Sequence, residues 1–556
     1  MKSLAPILLV AVLLCVILYL WRRSARTTFL HLDEPQERPS GPSLYERIRE
    51  QAFKAPDKPI DDDVFPRIPE GSTGIHFAPG SIDAILGGPI GNPKDFKRVR
   101  NVIRAINRGK ITSWHVVERN IRGIGAASHL DNVLRGLKRN DITPTVKRLF
   151  WEAARNSHDY EAVKWGLAIG GLFLTEQELP DLLTLARHSE FTLYASHVLV
   201  QESRRQPEYK EALFDLLPVS RQWGVIFVID HIVEEPELIS DHANQEQVLK
   251  YGMGNCEGIP MEVAFTIAKA IDIPHFLDKA GRDEDVFPAI TALFHTLLLE
   301  RRPLGGICDL EDGPSLFEQY SALIEARPTD MEVLGALRSM TMFLKHEDVA
   351  WDGREHLLDR TRQLYEDRMS LEIVKAGLGE ERDRWLALQI IQEKKLVELL
   401  PDVLESFDAK PDTTAIDVLG HLGDASHLEA MMQKIPEIVD LPGRQERPLS
   451  PVNVLGPEHL GNMEYAWIVK YLGKLGTHEA VSQIKRAAKD YDPQVRLYAM
   501  KAVLSLPEDR IDDELRALVE ERLADSPDYV AESAKHAVEK LGIRLPDKGP
   551  EEEPDS

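Results

Sequence analysis

Near its C-terminus the chain repeats itself. The stretch DPQVRLYAMKAV sets Val495, Ala499, Ala502 and Val503 in a helical pattern, and SPDYVAESAKHAV sets Val530, Ala534, Ala537 and Val538 in the same pattern, 35 residues further on. A period of that length marks stacked units, each with an apolar face too small to stand alone and buried against the next. The repeat also answers a problem of size. A chain of 556 residues exceeds what one compact core reaches, unless repeats let the core run on.

A second signature recurs as LGHLG at 419–423 and LGKLG at 472–476, each closing an apolar helix pattern. Glycine there supplies a turn with positive φ, the paired leucines bury against a neighbour, and Asp424 or Thr477 caps the next helix. The segment LGKLGTHEAVSQIKRAAKDYDPQVRLYAMKAVLSL resembles the HEAT-like repeats, antiparallel helix pairs stacked as a right-handed solenoid. The resemblance covers about residues 411–541, interrupted by the proline-rich stretch 441–460. It implies a scaffolding or recognition role, with surface rather than chemistry as the product.

Upstream the same rhythm predicts helices at 160–174, 176–187, 191–203, 207–217 and 221–233, then at 316–326, 330–345, 356–365 and 384–392. No alternating strand pattern interrupts them. The expected fold class is therefore all-α: a HEAT-like α-solenoid of antiparallel helix pairs, here placed behind an N-terminal transmembrane helix.

That last element is read from LAPILLVAVLLCVILYLW at 4–21, a run without a charge and long enough to cross most of a bilayer's hydrocarbon. Tyr19 and Trp21 fall at interface depth, and Trp21-Arg22-Arg23 stands where a signal peptide would offer a small-residue cleavage site. The residues before Cys15 lack the small side chain that precedes a lipoprotein cysteine. Arg22, Arg23 and Arg26 outweigh the basic groups ahead of the run, which predicts a single-pass protein of a bacterial-type inner membrane with a cytoplasmic body.

Prolines at 35, 39, 42, 56, 59, 66 and 69 give residues 31–93 the composition of a linker, with one short helical interruption near 45–52. A basic segment follows, within which Lys97, Arg98, Arg100, Arg104 and Arg108 interleave with the apolar Val99, Ile103 and Ile106. These cations are the candidate contact for anionic lipid headgroups or an acidic partner, against the plainer alternative of a solvated helix face. The formal net charge of -24 argues against nucleic acid as a ligand, because phosphate binding needs a basic surface. The full division expected is an anchor at 1–30, the linker at 31–93, first helical repeats at 94–235, a central helical region at 236–345, HEAT-like repeats at 346–545 and an acidic tail at 546–556.

One stretch invites a catalytic reading. In GNCEGIPMEVAFTIAKAIDIP, at 254–274, Cys256 stands among glycines ahead of an apolar helix pattern, which resembles the nucleophile region of transglutaminase-like thiol hydrolases. The resemblance implies Cys256 as nucleophile, His295 as base and Asp309 as its orienting partner, in the chain order of that family's triad. Three features oppose it: the residues around His295 read as an amphipathic helix where the family has strands, His295 has apolar neighbours, and Thr296 and Leu297 replace the aromatic that follows the family's histidine. No catalytic residue is favoured over the alternative, a small buried cysteine at a repeat junction. The expected function is accordingly a membrane-anchored scaffold or adaptor for protein partners, without catalysis, the thiol hydrolase or acyltransferase standing as the competing reading.

The cysteines at 15, 256 and 308 are too few for a disulfide framework and lack paired CxxC spacing. Asp230, His231, Glu234, Glu235, Asp241 and His242 cluster in sequence but match neither HExxH nor its inverse. No metal and no other cofactor is expected.

Overall fold

The computed structural model describes residues 30–33, 41–61, 78–86, 93–256, 259–299, 304–346, 348–439, 460–526 and 528–542. Among these the chain is helical and contains no strand. The chain divides into two compact units, the first 1–70, 77–327 and 339–358, the second 71–76, 328–338 and 359–556.

The expected membrane span is corrected. No helix among the described residues is long and apolar enough to cross a membrane, and the apolar run at 4–21 lies outside the described residues. Uniform apolarity identified that run, but the helices of the structure owe their apolar residues to packing against one another. Among the described residues the fold class is all-α with no membrane-spanning helix, and the inner-membrane placement with a cytoplasmic body is dropped with the span that implied it. The acidic tail and residues 441–459 also lie outside the described residues.

In the first unit, helices Tyr160–Gly170, Ser189–Ser203, Trp223–Val233, Met261–Ala270 and Phe287–Leu299 form a row in which each packs on the next. Helices Leu179–Ala186, Glu208–Phe214, His242–Gly254 and Ile273–Ala280 fall between them in sequence and pack alongside as a second row. Short connections force this alternation, since consecutive helices joined by a few residues return antiparallel. Caps set the boundaries: Asp159 accepts from Ala162 N, and Asp241 accepts from Asn244 N.

The second unit alternates likewise. Arg384–Lys394, Thr413–Leu422, Leu460–Leu475, Pro493–Val503 and Asp528–Leu541 make one row, with Leu400–Ala409, Ala425–Gln433, His478–Ala488 and Asp513–Arg522 in the other. All the repeat positions read from the sequence are interior: Val495, Ala499, Ala502, Val503, Val530, Ala534, Ala537 and Val538 are buried. Asp424 and Thr477 cap the helices that follow them. The glycines divide their work differently from expectation. Gly476 has φ +60, as a turn glycine should, whereas Gly423 is extended. Gly420 instead makes room for the Tyr471 ring, which occupies the place a Cβ would take.

The stretch with linker composition is docked in part. Helix Leu44–Lys54 begins with a capping box at Ser43 and buries Leu44, Tyr45 and Ile48. Leu44 N donates to Ser157 O at 3.2 Å, and the Tyr45 hydroxyl bonds Asp181. Arg187 then holds the backbone carbonyls of Ala55, Pro56 and Lys58, and the buried Asn120 exchanges two hydrogen bonds with the backbone of His31. Composition alone hides such docking, because the groups that receive Tyr45 and the backbone of 55–58, Asp181 and Arg187, lie more than a hundred residues away in sequence.

Candidate functional site

Cys256 lies just past helix His242–Gly254 and is 1% exposed. The corner is fixed by Asn255, whose Nδ2 donates to Leu217 O at 3.0 Å and Ser220 O at 3.1 Å, while its carbonyl accepts from Gln222 N at 2.7 Å. The next helix starts only at Met261, after Pro260, so the thiol is not at a helix N-terminus, where it would be acidified. Burial, with Asp230 adding its charge, pushes the thiol up to about 12. Burial likewise raises Asp230 to about 6, with Glu234 contributing.

The other two candidates make hydrogen bonds of their own. His295 sits in the continuous helix Phe287–Leu299 with Nδ1 hydrogen-bonded to Ser339 Oγ at 2.6 Å. Asp309 ends the short turn Ile307–Asp309, where its Oδ2 accepts from Gly306 N at 2.9 Å. None of these contacts joins one member of the triad to another, and burial disfavours the Cys256 thiolate that a nucleophile needs. A thiol reagent added to the native chain near neutral pH is expected to modify the exposed Cys308 and spare Cys256, which should react only on unfolding. Mass spectrometry of the modified peptides checks this; prompt labelling of Cys256 would contradict it.

His231 is half-buried on helix Trp223–Val233 with Nδ1 bonded to Phe227 O at 2.7 Å, and desolvation holds its pKa below the usual histidine range. His242 stacks on His275, ring centroids 3.8 Å apart. Among the described residues no group of three or more His, Cys, Asp and Glu is placed to hold a metal ion.

The basic candidates lie on helix Pro93–Asn107 and just after it. The helix stripe Val99, Ile103 and Ile106 is buried, which leaves the cations on the flanks. Arg100 turns inward, Nη2 donating to Gly136 O at 2.7 Å, and Arg98 is partly desolvated beside Asp95. Lys97, Arg104 and Arg108 remain exposed. The cluster read from the sequence is thus divided between structure and surface.

Two assemblies were not anticipated. In the first unit Lys164, fully buried, is ringed by Asp83, Glu161 and Glu190. A lysine and a glutamate three apart inside YEAVKWGLAIG, otherwise almost entirely apolar, were the available signal. In the second unit a polar and aromatic line crosses successive helices of one row. Gln392 Nε2 donates to Asp417 Oδ2 at 2.6 Å, and Asp417 also takes the Tyr471 hydroxyl and Lys470, 3.4 Å away. Lys470 lies over the Trp467 ring at 4.2 Å, Trp467 meets Tyr498 at 5.5 Å, and Lys501 lies over Tyr498 at 4.8 Å.

Trp467, Lys470, Tyr471 and Lys474 share one helix face by their spacing. Trp385 stands two turns before Gln392 and is 55% exposed. Trp467 and Tyr498 are half-buried, Lys474 and Lys501 exposed. This face combines rigid aromatic rings with cations and one amide, and it can make stacking, charge and hydrogen-bond contacts with another molecule.

No protein-family model matches the chain, and no curated protein matches it. Among solved structures it is similar to the crystal structure of an engineered protein from a structural genomics consortium, at 14% identity and TM-score 0.29 over 80% of this chain and 99% of that one.

Proposed function

We propose that the chain is a helical-repeat scaffold of HEAT-like character that binds protein partners through the second unit and performs no catalysis. The observation that carries this reading is the line Trp385, Trp467, Tyr498 with Lys470, Lys474 and Lys501, spread over helices of one row. Tryptophan and tyrosine are the side chains in which interface energy concentrates. Cations laid on their faces favour a partner segment with acidic and apolar side chains. HEAT-like character is supported by the interior repeat positions and the helix caps after each LGxLG. The thiol-hydrolase reading has no comparable support, because Cys256 is buried with a strongly disfavoured thiolate.

The test is quantitative binding of a partner captured by the full-length chain. Trp467→Ala and Tyr498→Ala are each expected to weaken it roughly 30-fold, the effect of a hot-spot residue. Thermal unfolding should barely change, since both rings are half-exposed. Undiminished binding by both variants would reject the surface.

A further inference from the structure

The aromatic and cationic line of the second unit is in register with the repeat. Trp467 and Lys470 on helix Leu460–Leu475 recur 31 residues later as Tyr498 and Lys501 on helix Pro493–Val503. The interior keeps the same register: Ile468, Val469 and Leu472 correspond to Ala499, Met500 and Val503, and all are buried. Because the two helices pack directly on each other, each outward position of one has its counterpart one helix over. A further 35 residues on, Lys501 becomes His536 and Ser505 becomes Lys540 on helix Asp528–Leu541. There the aromatic position ends in the buried Ser533, and Lys540 donates back to Leu504 O at the end of the helix before it.

This register sets an interval. Packed helices lie about 8–10 Å apart, axis to axis, so equivalent side chains such as Lys470 and Lys501 are offered at that spacing. One side of a β-strand recurs about every 6.6 Å, which is too short. One side of a polyproline II segment recurs at every third residue, about 9.3 Å, which matches. A helical ligand reaches the interval only with groups two turns apart, and it needs an apolar groove along its length. Here the line consists of rings and cations instead. Trp467 and Tyr498, 5.5 Å apart and tilted by 35°, suit the proline-rich segments that dock on aromatic surfaces. The charge is also specific. Lys470, Lys474 and Lys501 stand beside Asp417, whose oxygens take the Tyr471 hydroxyl, Gln392 and Lys470, in a chain whose net charge is -24.

We infer, resting on the docking surface proposed above, that its ligand is an acidic segment in polyproline II conformation with a carboxylate at every third residue. The segment crosses helices Leu460–Leu475 and Pro493–Val503, one carboxylate meeting Lys470 and the next meeting Lys501. Prolines between the carboxylates lie on Trp467 and Tyr498, and the exposed Lys474 adds to the attraction. Such a ligand is already extended when free, so it loses little chain entropy on docking.

Two labelled synthetic peptides of identical composition, one repeating Glu-Pro-Pro and one with its glutamates in a single block, test this by fluorescence anisotropy with the full chain. The repeating peptide should bind about ten-fold more tightly, the worth of two exposed ion pairs. Lys501→Gln, at an exposed position, should weaken the repeating peptide about five-fold and leave the blocked one nearly unchanged. Equal or undetectable binding of the two peptides would overturn the inference. So would tighter binding of a helix-forming peptide with glutamates seven apart, or of a single-stranded oligonucleotide of equal charge. If a captured partner still depends on Trp467 while the two peptides bind alike, the docking surface stands and this assignment of its ligand falls.

Discussion

Lys164→Met is expected to destabilise the first unit by about 3–5 kcal/mol, the cost of breaking a buried ion pair from one side. The methionine fills the same path through the core, so little is lost in packing. What is lost is the cation that Asp83, Glu161 and Glu190 share. The carboxylates left behind must take up protons or separate. Urea unfolding followed by circular dichroism should show an early transition displaced to lower denaturant. Adding Glu190→Gln to Lys164→Met should recover part of the loss, because it removes one of the stranded charges. A midpoint equal to that of the wild type would mean that the cluster does not hold the unit together.

Arg496→Met is expected to act on the second unit with similar size, about 3–5 kcal/mol. Arg496 is buried, and its guanidinium grips Asp525 with two hydrogen bonds, Nε to Oδ2 at 2.8 Å and Nη2 to Oδ1 at 2.7 Å. The Asp525 side chain is 2% exposed. Through Nη1 the same group holds Asp490 O and Tyr491 O at 2.9 and 2.8 Å, so one side chain ties the loop before its own helix to the turn before helix Asp528–Leu541. Arg522 stays on Asp525 at 3.0 Å, which keeps the loss below that of a wholly abandoned carboxylate. Arg496→Lys should rescue little, since an ammonium cannot match the planar fork. Limited proteolysis across 490–530, with the denaturation midpoint of the second unit, measures the effect; wild-type resistance in Arg496→Met would contradict it.

The helical architecture was legible because its cause is local. Val495, Ala499, Ala502 and Val503 recur at helical spacing, and burial of such a stripe follows from the pattern. Asp424 and Thr477 were readable as caps for the same reason. What stayed hidden depends on partners distant in sequence. Asp83 looks like a turn residue until Lys164 and Tyr194 are brought to it. Residues 41–61 look like linker until Asp181 and Arg187 are seen to hold them.

Beside Cys256, Pro260 delays the next helix to Met261, so the buried, glycine-flanked thiol does not open that helix. The membrane span rested on the apolarity of a single segment, and no described helix carries such a run. On the aromatic face of the second unit, Trp467 and Tyr498 carry nothing in their own neighbourhoods to distinguish them from core aromatics. Only the register of neighbouring helices aligns them.

The central claim is that one row of the second unit presents a docking surface for another protein. A photo-crosslinking residue placed at Trp467 or Tyr498 of the full chain, compared with Glu429 and Ser482 on helices Ala425–Gln433 and His478–Ala488 of the other row, tests it most directly. The account predicts discrete protein adducts from 467 and 498 and none from 429 and 482. Adducts formed equally from both rows, or only from the second, would contradict it.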